Sequence, residues 1–147
     1  MTPLLLSVGF ALLVFVAAGL LLRSRFRKAR REVYSRYPEH ARLLTAPMAN
    51  FFGLRSSGMK QVRGNGILLL TGSEIFFRML LPSRELRIPL GSVASLETPR
   101  SFLGKSKGRK LLQVNYTSFE GKEDSAAWLV PDPDRWVKMV RKTAGLD

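Results

Sequence analysis

PLLLSVGFALLVFVAAGLLL, residues 3–22, holds a single polar side chain, Ser7, and no charge. A helix rises about 1.5 Å per residue, so a run of this length matches the ~30 Å hydrocarbon core of a bilayer and predicts a transmembrane helix. The flanks decide between a retained anchor and a cleaved leader. A secretory signal carries positive charge before a shorter apolar core of about 7–15 residues. Here the order is reversed: nothing before Pro3 is charged except the terminal amine, whereas Arg23, Arg25, Arg27, Lys28, Arg30 and Arg31 follow at once. Val16, Ala17 and Ala18 make only a weak cleavage pattern. The positive-inside rule then predicts a single-pass protein of the plasma membrane, amino terminus outside and residues 23–147 cytoplasmic. Ser7 and Ala11 form one small-xxx-small pair, which ordinary lipid-facing filler also produces.

Outside the anchor the chain is basic. Of the formal charge of +13, residues 23–44 carry +6, with eight Arg and Lys against Glu32 and Glu39, and residues 45–147 carry +7. The absence of cysteine excludes disulfides, thiolate nucleophiles and cysteine-ligated metals, and fits a reducing compartment. After the anchor and its basic collar about 100 residues remain, enough for one small core.

Residues 24–37, SRFRKARREVYSRY, contain good helix formers and no breaker before Pro38, so the membrane helix is expected to continue through them. The six basic residues of positions 23–31 stand where an anionic leaflet attracts them, at about 1 kcal/mol each. They serve equally as a topology signal. Phe26, Val33, Tyr34 and Tyr37 would add contacts at headgroup level. Pro38 and the following EHARLL suggest one or two helical turns ending before Pro47, a connector. His40, the lone histidine, reads as a solvent-facing polar residue, because a metal site needs several converging ligands.

Beyond Pro47 the periodicity turns to that of strands, with short apolar runs between Gly, Ser, Pro and charged turns. Residues 48–54 read as an apolar lead-in and residues 60–63 as the start of a first strand. Gly64-Asn65-Gly66 reads as a turn, and residues 67–70, 74–81, 84–89, 93–98, 112–117 and 125–130 as further strands. Arg100 to Lys110 is a loop of small and basic residues. Asp132 can cap a closing helix, Pro133 suits its first position, and Trp136, Met139 and Val140 make its apolar stripe. Trp128, mid-strand, and Trp136 are expected in the core rather than at a ligand. The pattern is that of a strongly bent sheet or small barrel with a helix across one end.

Residues 58–142 resemble a bacterial pleckstrin-homology-like (PH-like), GRAM-related domain. The resemblance rests on Gly66-Ile-Leu-Leu-Leu-Thr71-Gly-Ser-Glu-Ile-Phe-Phe77, Leu86-Arg-Ile-Pro-Leu90 with Val93 and Leu96, Leu112-Gln-Val-Asn-Tyr116, and Trp128-Leu-Val with Asp134-Arg-Trp136. It implies two orthogonal antiparallel sheets of about seven strands and a C-terminal capping helix. The organisation expected is thus a transmembrane helix at 1–23, a basic juxtamembrane helix and connector at 24–46, and a mainly-β PH-like domain at 47–147. Members of the family bind phosphoinositides, peptides or proteins, and some are scaffolds. Lys60 and Arg63 resemble the basic residues that flank the first strand pair of lipid-binding members, although the dense Lys/Arg series of strong phosphoinositide binders is missing. A second candidate comes from the residues themselves. Arg100, Lys105, Lys107, Arg109 and Lys110, spaced by small residues, could converge on a phosphate while Phe102 and Leu103 dip into the headgroups, or the loop is simply solvated and mobile.

Three function classes follow. The first is a non-enzymatic, membrane-tethered interaction module or scaffold that engages a protein partner, anionic lipid headgroups or both, with no cofactor or metal. A nucleic-acid-binding basic domain is the alternative, weakened because much of the charge hugs the anchor and no aromatic platform is evident. An enzyme is disfavoured, for the chain has no G-x-S-x-G elbow, phosphate loop or HExxH motif, and its acidic residues are scattered over turns. A pocket bringing Glu97 and Glu120 together would reopen that class.

Overall fold

The computed structural model describes residues 2–146, in two units divided after Arg36. The first is one continuous helix, α1 (Pro3–Arg36). At 34 residues it is about 50 Å long. It runs through the basic segment as the absence of breakers predicts, and it is long and apolar enough to cross a membrane. Its apolar residues are exposed from Leu4 to Leu22. Such a surface is costly in water and stable in lipid.

The second unit is an antiparallel sheet of seven strands: β1 (Arg42–Leu54), β2 (Gly64–Thr71), β3 (Glu74–Met79), β4 (Arg84–Pro89), β5 (Val93–Glu97), β6 (Leu112–Thr117) and β7 (Glu123–Leu129). They lie in the order β4-β3-β2-β1-β7-β6-β5, and the chain closes with α2 (Pro133–Ala144). Strand β1 organises the sheet. It pairs with β2 from Arg42 to Phe51 and with β7 from Asn50 to Leu54, so both halves hang on it.

This strand differs most from the sequence-based expectation. The expected helical turns survive only as a 3-10 turn at Glu39–Ala41, and Pro47, the expected first residue of the domain, lies inside β1, which starts at Arg42. Proline has no N–H to give a ladder, and the register shift between Ala46 and Ala49 takes Pro47 and Met48 out of the pairing. The shift also moves the buried side from Leu44 and Ala46 to Ala49 and Phe51, which destroys the alternation over the whole strand. Tyr37 does not extend α1. It packs its ring on Phe76 at 4.8 Å and donates its hydroxyl to Glu74, and so belongs to the β unit. Lys60 and Arg63 belong to the β1–β2 connection, and Gly64-Asn65-Gly66 opens β2 instead of turning.

The remaining elements fall within a few residues of their predicted places. The 71–73 turn closes on Thr71 Oγ1, which accepts from Ser73 N at 3.3 Å and Glu74 N at 3.1 Å. One side of the sheet and α2 bury the main core, including Phe51, Leu68, Phe77, Ile88, Val114, Trp128, Trp136 and Val140, so both tryptophans are core residues as expected. On the other side of β1 and β7 a smaller cluster joins Phe52, Phe102, Leu111 and Ala127.

Helix α2 begins as predicted, with Asp132 Oδ1 accepting from Arg135 N at 3.1 Å and Pro133 in the first turn. Replacing Asp132 by Ala is expected to lower the stability of the β unit by about 1 kcal/mol, because one helix-terminal N–H loses its partner. Chemical denaturation of the full chain in mild detergent would measure it. An unchanged midpoint would mean that the cap contributes nothing.

Candidate anion-binding cleft

The β1–β2 connection and the β5–β6 connection line one cleft of ≈ 560 Å³, to which β1 also contributes Asn50 and Phe52. Each connection is held by its own bonds. In the first, Gln61 acts as a staple: its Oε1 accepts from Leu54 N at 2.7 Å, and its Nε2 donates to Leu54 O and Gly58 O at 2.6 Å each. Arg63 donates from Nε to Phe52 O at 2.6 Å and from Nη1 to Met59 O at 3.1 Å. Its Nη2 is buried with no acceptor among the described residues. The start of the connection is tied to β7 by Ser56, whose N and Oγ donate to the Asp124 carboxylate at 3.0 and 2.6 Å. The Tyr116 hydroxyl donates to that carboxylate at 3.4 Å, and burial first, then the Asp124 charge, push its pKa above the usual tyrosine range.

The second connection folds back on itself. Phe102 and Lys105 exchange backbone bonds of 2.9 and 3.0 Å around Leu103 and Gly104, whose φ angles of 51° and 75° are left-handed, as in the tight turns of hairpins. A leucine in that region costs about 1–2 kcal/mol. Packing of Leu103 against the Phe52 and Phe102 cluster offsets it. Ser106 Oγ donates to Arg100 O at 2.7 Å and accepts from Gly108 N at 3.0 Å, and Leu111 N closes the base on Pro99 O at 2.7 Å. The loop is therefore a hydrogen-bonded structure. Phe102, expected to dip into headgroups, is buried against Ala127 and Phe52 and carries the Arg55 guanidinium on its ring at 5.1 Å, so it anchors the loop to the sheet.

Of the seven basic candidates, Arg63, Lys105 and Lys107 line the cleft. Lys60 and Arg109 are exposed and lie outside the lining. Arg100 Nη1 donates to Gly108 O at 3.2 Å, and Lys110 pairs with Asp134 at 3.3 Å. Asn50 and Asn65, partners across the β1–β2 ladder, also line the cleft. They were not recognisable beforehand, because that pairing exists only once β1 is known to be a strand. The juxtamembrane residues Arg23, Arg25, Arg27, Lys28, Arg30 and Arg31 are exposed along α1, and Arg30 lies over the Tyr34 ring at 5.4 Å and the Phe26 ring at 6.0 Å. The acidic residues are engaged elsewhere. Glu97 Oε2 accepts from Gln113 Nε2 and Asn115 Nδ2 at 2.9 Å each, while Glu120 pairs with Lys122 at 3.8 Å. Among the described residues no three His, Asp or Glu side chains gather as metal ligands.

No model of a known protein family and no curated protein matches the chain. Solved structures do. The chain is similar to the C-terminal domain of an unknown protein from Leishmania infantum, at 9% identity and a TM-score of 0.55, over 78% of this chain and 96% of that one. It is also similar to a chain of the 8S snRNP assembly intermediate, at 16% identity and a TM-score of 0.57, over 75% of this chain and 87% of the other. At these identities the likeness concerns the fold alone.

Proposed function

We propose that this protein is a non-enzymatic interaction module held at the plasma membrane, with the amino terminus outside and a PH-like β unit in the cytoplasm. There the β unit engages a protein partner, anionic lipid headgroups or both. The observation that carries the reading is the asymmetry of α1, an uncharged apolar half followed on the same continuous helix by six basic residues. The PH-like reading draws support from seven antiparallel strands closed by a C-terminal helix. It draws more from the irregularity at Phe51–Gly53, where β1 passes from β2 to β7 and a bent strand would divide two orthogonal sheets. Tethering raises the effective concentration of any binding surface at the bilayer, so modest affinity suffices.

The cysteine-free chain makes the orientation directly testable. A Thr2→Cys variant should react with a membrane-impermeant maleimide on intact cells, whereas Phe119→Cys, at a 92% exposed position, should react only after permeabilisation. The opposite pattern would reverse the orientation, and recovery of the labelled protein in the soluble fraction would remove the anchor. A salt-dependent shift of labelled DNA or RNA by residues 37–147 would favour the nucleic-acid alternative.

A further inference from the structure

Strand β4 ends one side of the sheet and pairs with β3 alone. Leu90 N donates to Ser73 O at 2.9 Å, and in the Glu74↔Pro89 register the bonds to β3 then fall on Ile88, Leu86 and Arg84. The backbone N–H and C=O of Glu85 and Arg87 therefore point away from β3, and Pro89, the next in that row, has no N–H to give. The side chains divide by the same alternation. Ile88 is buried and Leu86 packs partly buried against the main core, whereas Glu85 and Arg87 are exposed on the opposite face. Such an edge is a template for another strand. An antiparallel strand laid along it must set an anion opposite Arg87, a cation opposite Glu85 and an apolar residue between them. Read backwards about Leu86, β4 is itself that strand. The other edge, β5, suits pairing less, because its register shifts between Val93 and Ser95 and its one charged residue, Glu97, bonds Gln113 and Asn115.

We propose that β4 is a self-association surface, on which the β4 of a second copy lies antiparallel about a two-fold axis at Leu86. In that register Glu85 of each copy faces Arg87 of the other, so their N–H and C=O groups exchange bonds and their side chains pair with unlike charge. Glu85 also bonds Arg78 of its own copy at 3.5 Å. The two Leu86 side chains meet at the axis and join the two cores. Centring the pair on Glu85 or Arg87 instead would set like charges opposite each other, and a one-residue slip would turn the core face of one copy to the outer face of the other. Tyr37, the first residue of the β unit, packs on Phe76, which is the partner of Arg87 and lies on the same outer face. A two-fold axis perpendicular to the sheet keeps that face of both copies on one side, which suits two chains tethered in one bilayer. A six-residue edge is smaller than a stable soluble interface. Pairing is therefore expected between tethered copies, and in that it rests on the membrane-module reading.

The test uses the full chain in isolated membranes, where the absence of native cysteine makes one introduced thiol specific. Leu86→Cys, at the axis, should give a disulfide-linked dimer on mild oxidation, since directly facing residues of such a pair stand about 4.5 Å apart at Cα. Phe119→Cys, exposed but off the edge, should crosslink far less. Added to Leu86→Cys, Glu85→Arg alone and Arg87→Glu alone each oppose like charges and should lower the yield about tenfold. Coexpressed under different tags, those two variants face each other with unlike charges throughout and should recover the yield as mixed dimers. Energy transfer between fluorescent proteins fused at the carboxyl terminus repeats the comparison with Leu86 intact, so a core disturbed by the cysteine does not decide the outcome. Leu86→Cys crosslinking no better than Phe119→Cys, with no energy transfer between copies that keep Leu86, overturns the edge pairing. So do mixed charge variants that stay as low as either alone. Maleimide labelling and fractionation of the same membranes report on the tether separately, so a failure of the membrane-module reading is told apart from a failure of the edge.

Discussion

Replacing Trp128 by Ala is expected to cost the β unit about 3–5 kcal/mol, a large share of the 5–15 kcal/mol that holds a domain together. Trp128 is fully buried on β7, opposite Phe51 of β1 on one side and Leu112 of β6 on the other. Its ring lies 5.6 Å from that of Phe51 and 5.7 Å from that of Phe77, and those two rings lie 5.0 Å apart. The three aromatics therefore join the β2–β3 half of the sheet to the β6–β7 half, and the cavity left by alanine would open where both meet. Trp128→Phe should cost much less, about 1–2 kcal/mol. The indole N–H has no acceptor among the described residues, so its loss breaks no hydrogen bond. Urea unfolding of the full chain in mild detergent, followed by far-ultraviolet circular dichroism, compares the two. An alanine variant with the wild-type midpoint would remove Trp128 from the core.

The parts of the fold legible in sequence were those whose signal is local. Leu86, Arg87 and Ile88 alternate and residues 84–89 form β4 with those bounds, and Asp132-Pro133 caps α2 as its residue types dictate. β1 was illegible for a physical reason. Its register shift at Pro47 and Met48 swaps the buried face midway, so a window spanning it shows neither period 2 nor period 3.6. The same swap affects its neighbour: without β1, the apolar run of β2 has no central partner, and Gly64-Asn65-Gly66 reads as a hairpin turn.

The cleft was half legible. The family resemblance singles out Arg63 and residue type singles out Lys105 and Lys107, in two stretches 42 residues apart between Arg63 and Lys105. Only the pairing of β1 with both β2 and β7 brings their connections together. Charge also says nothing about which cations are already used. Lys110 belongs to Asp134 at the start of α2 and Arg100 to its own loop, facts that depend on where α2 packs and how the hairpin folds. Phe102 shows the same limit, since an aromatic within a basic loop suits a membrane tip and a core anchor equally well until Ala127 and Phe52 are seen beneath it.

Gly66→Ala is expected to destabilise the β unit by about 3 kcal/mol, even though it adds a single methyl group. Gly66 pairs with Ala49 on one side and Met79 on the other, so it lies within the sheet. A Cβ there would stand 2.2 Å from Arg78 O and 2.7 Å from the Phe77 ring carbons Cε2 and Cζ. The carbonyl cannot retreat without pulling β3 from β2, and the Phe77 ring is held by Phe51 and Trp128. Gly72, in the turn between β2 and β3, has nothing within 4 Å of the same added atom, so Gly72→Ala should stay within about 0.5 kcal/mol of wild type. The pair of variants separates two readings of Gly64-Asn65-Gly66. If Gly66 sat in an open surface turn, both substitutions would be mild, whereas inside β2 only Gly72→Ala is. Because α1 is a separate unit, the Gly66→Ala chain should still partition with membranes while its β unit becomes protease-sensitive. A protease-resistant Gly66→Ala protein with the wild-type midpoint would return the segment to a turn and break the β2–β3 register on which the Phe77 position depends.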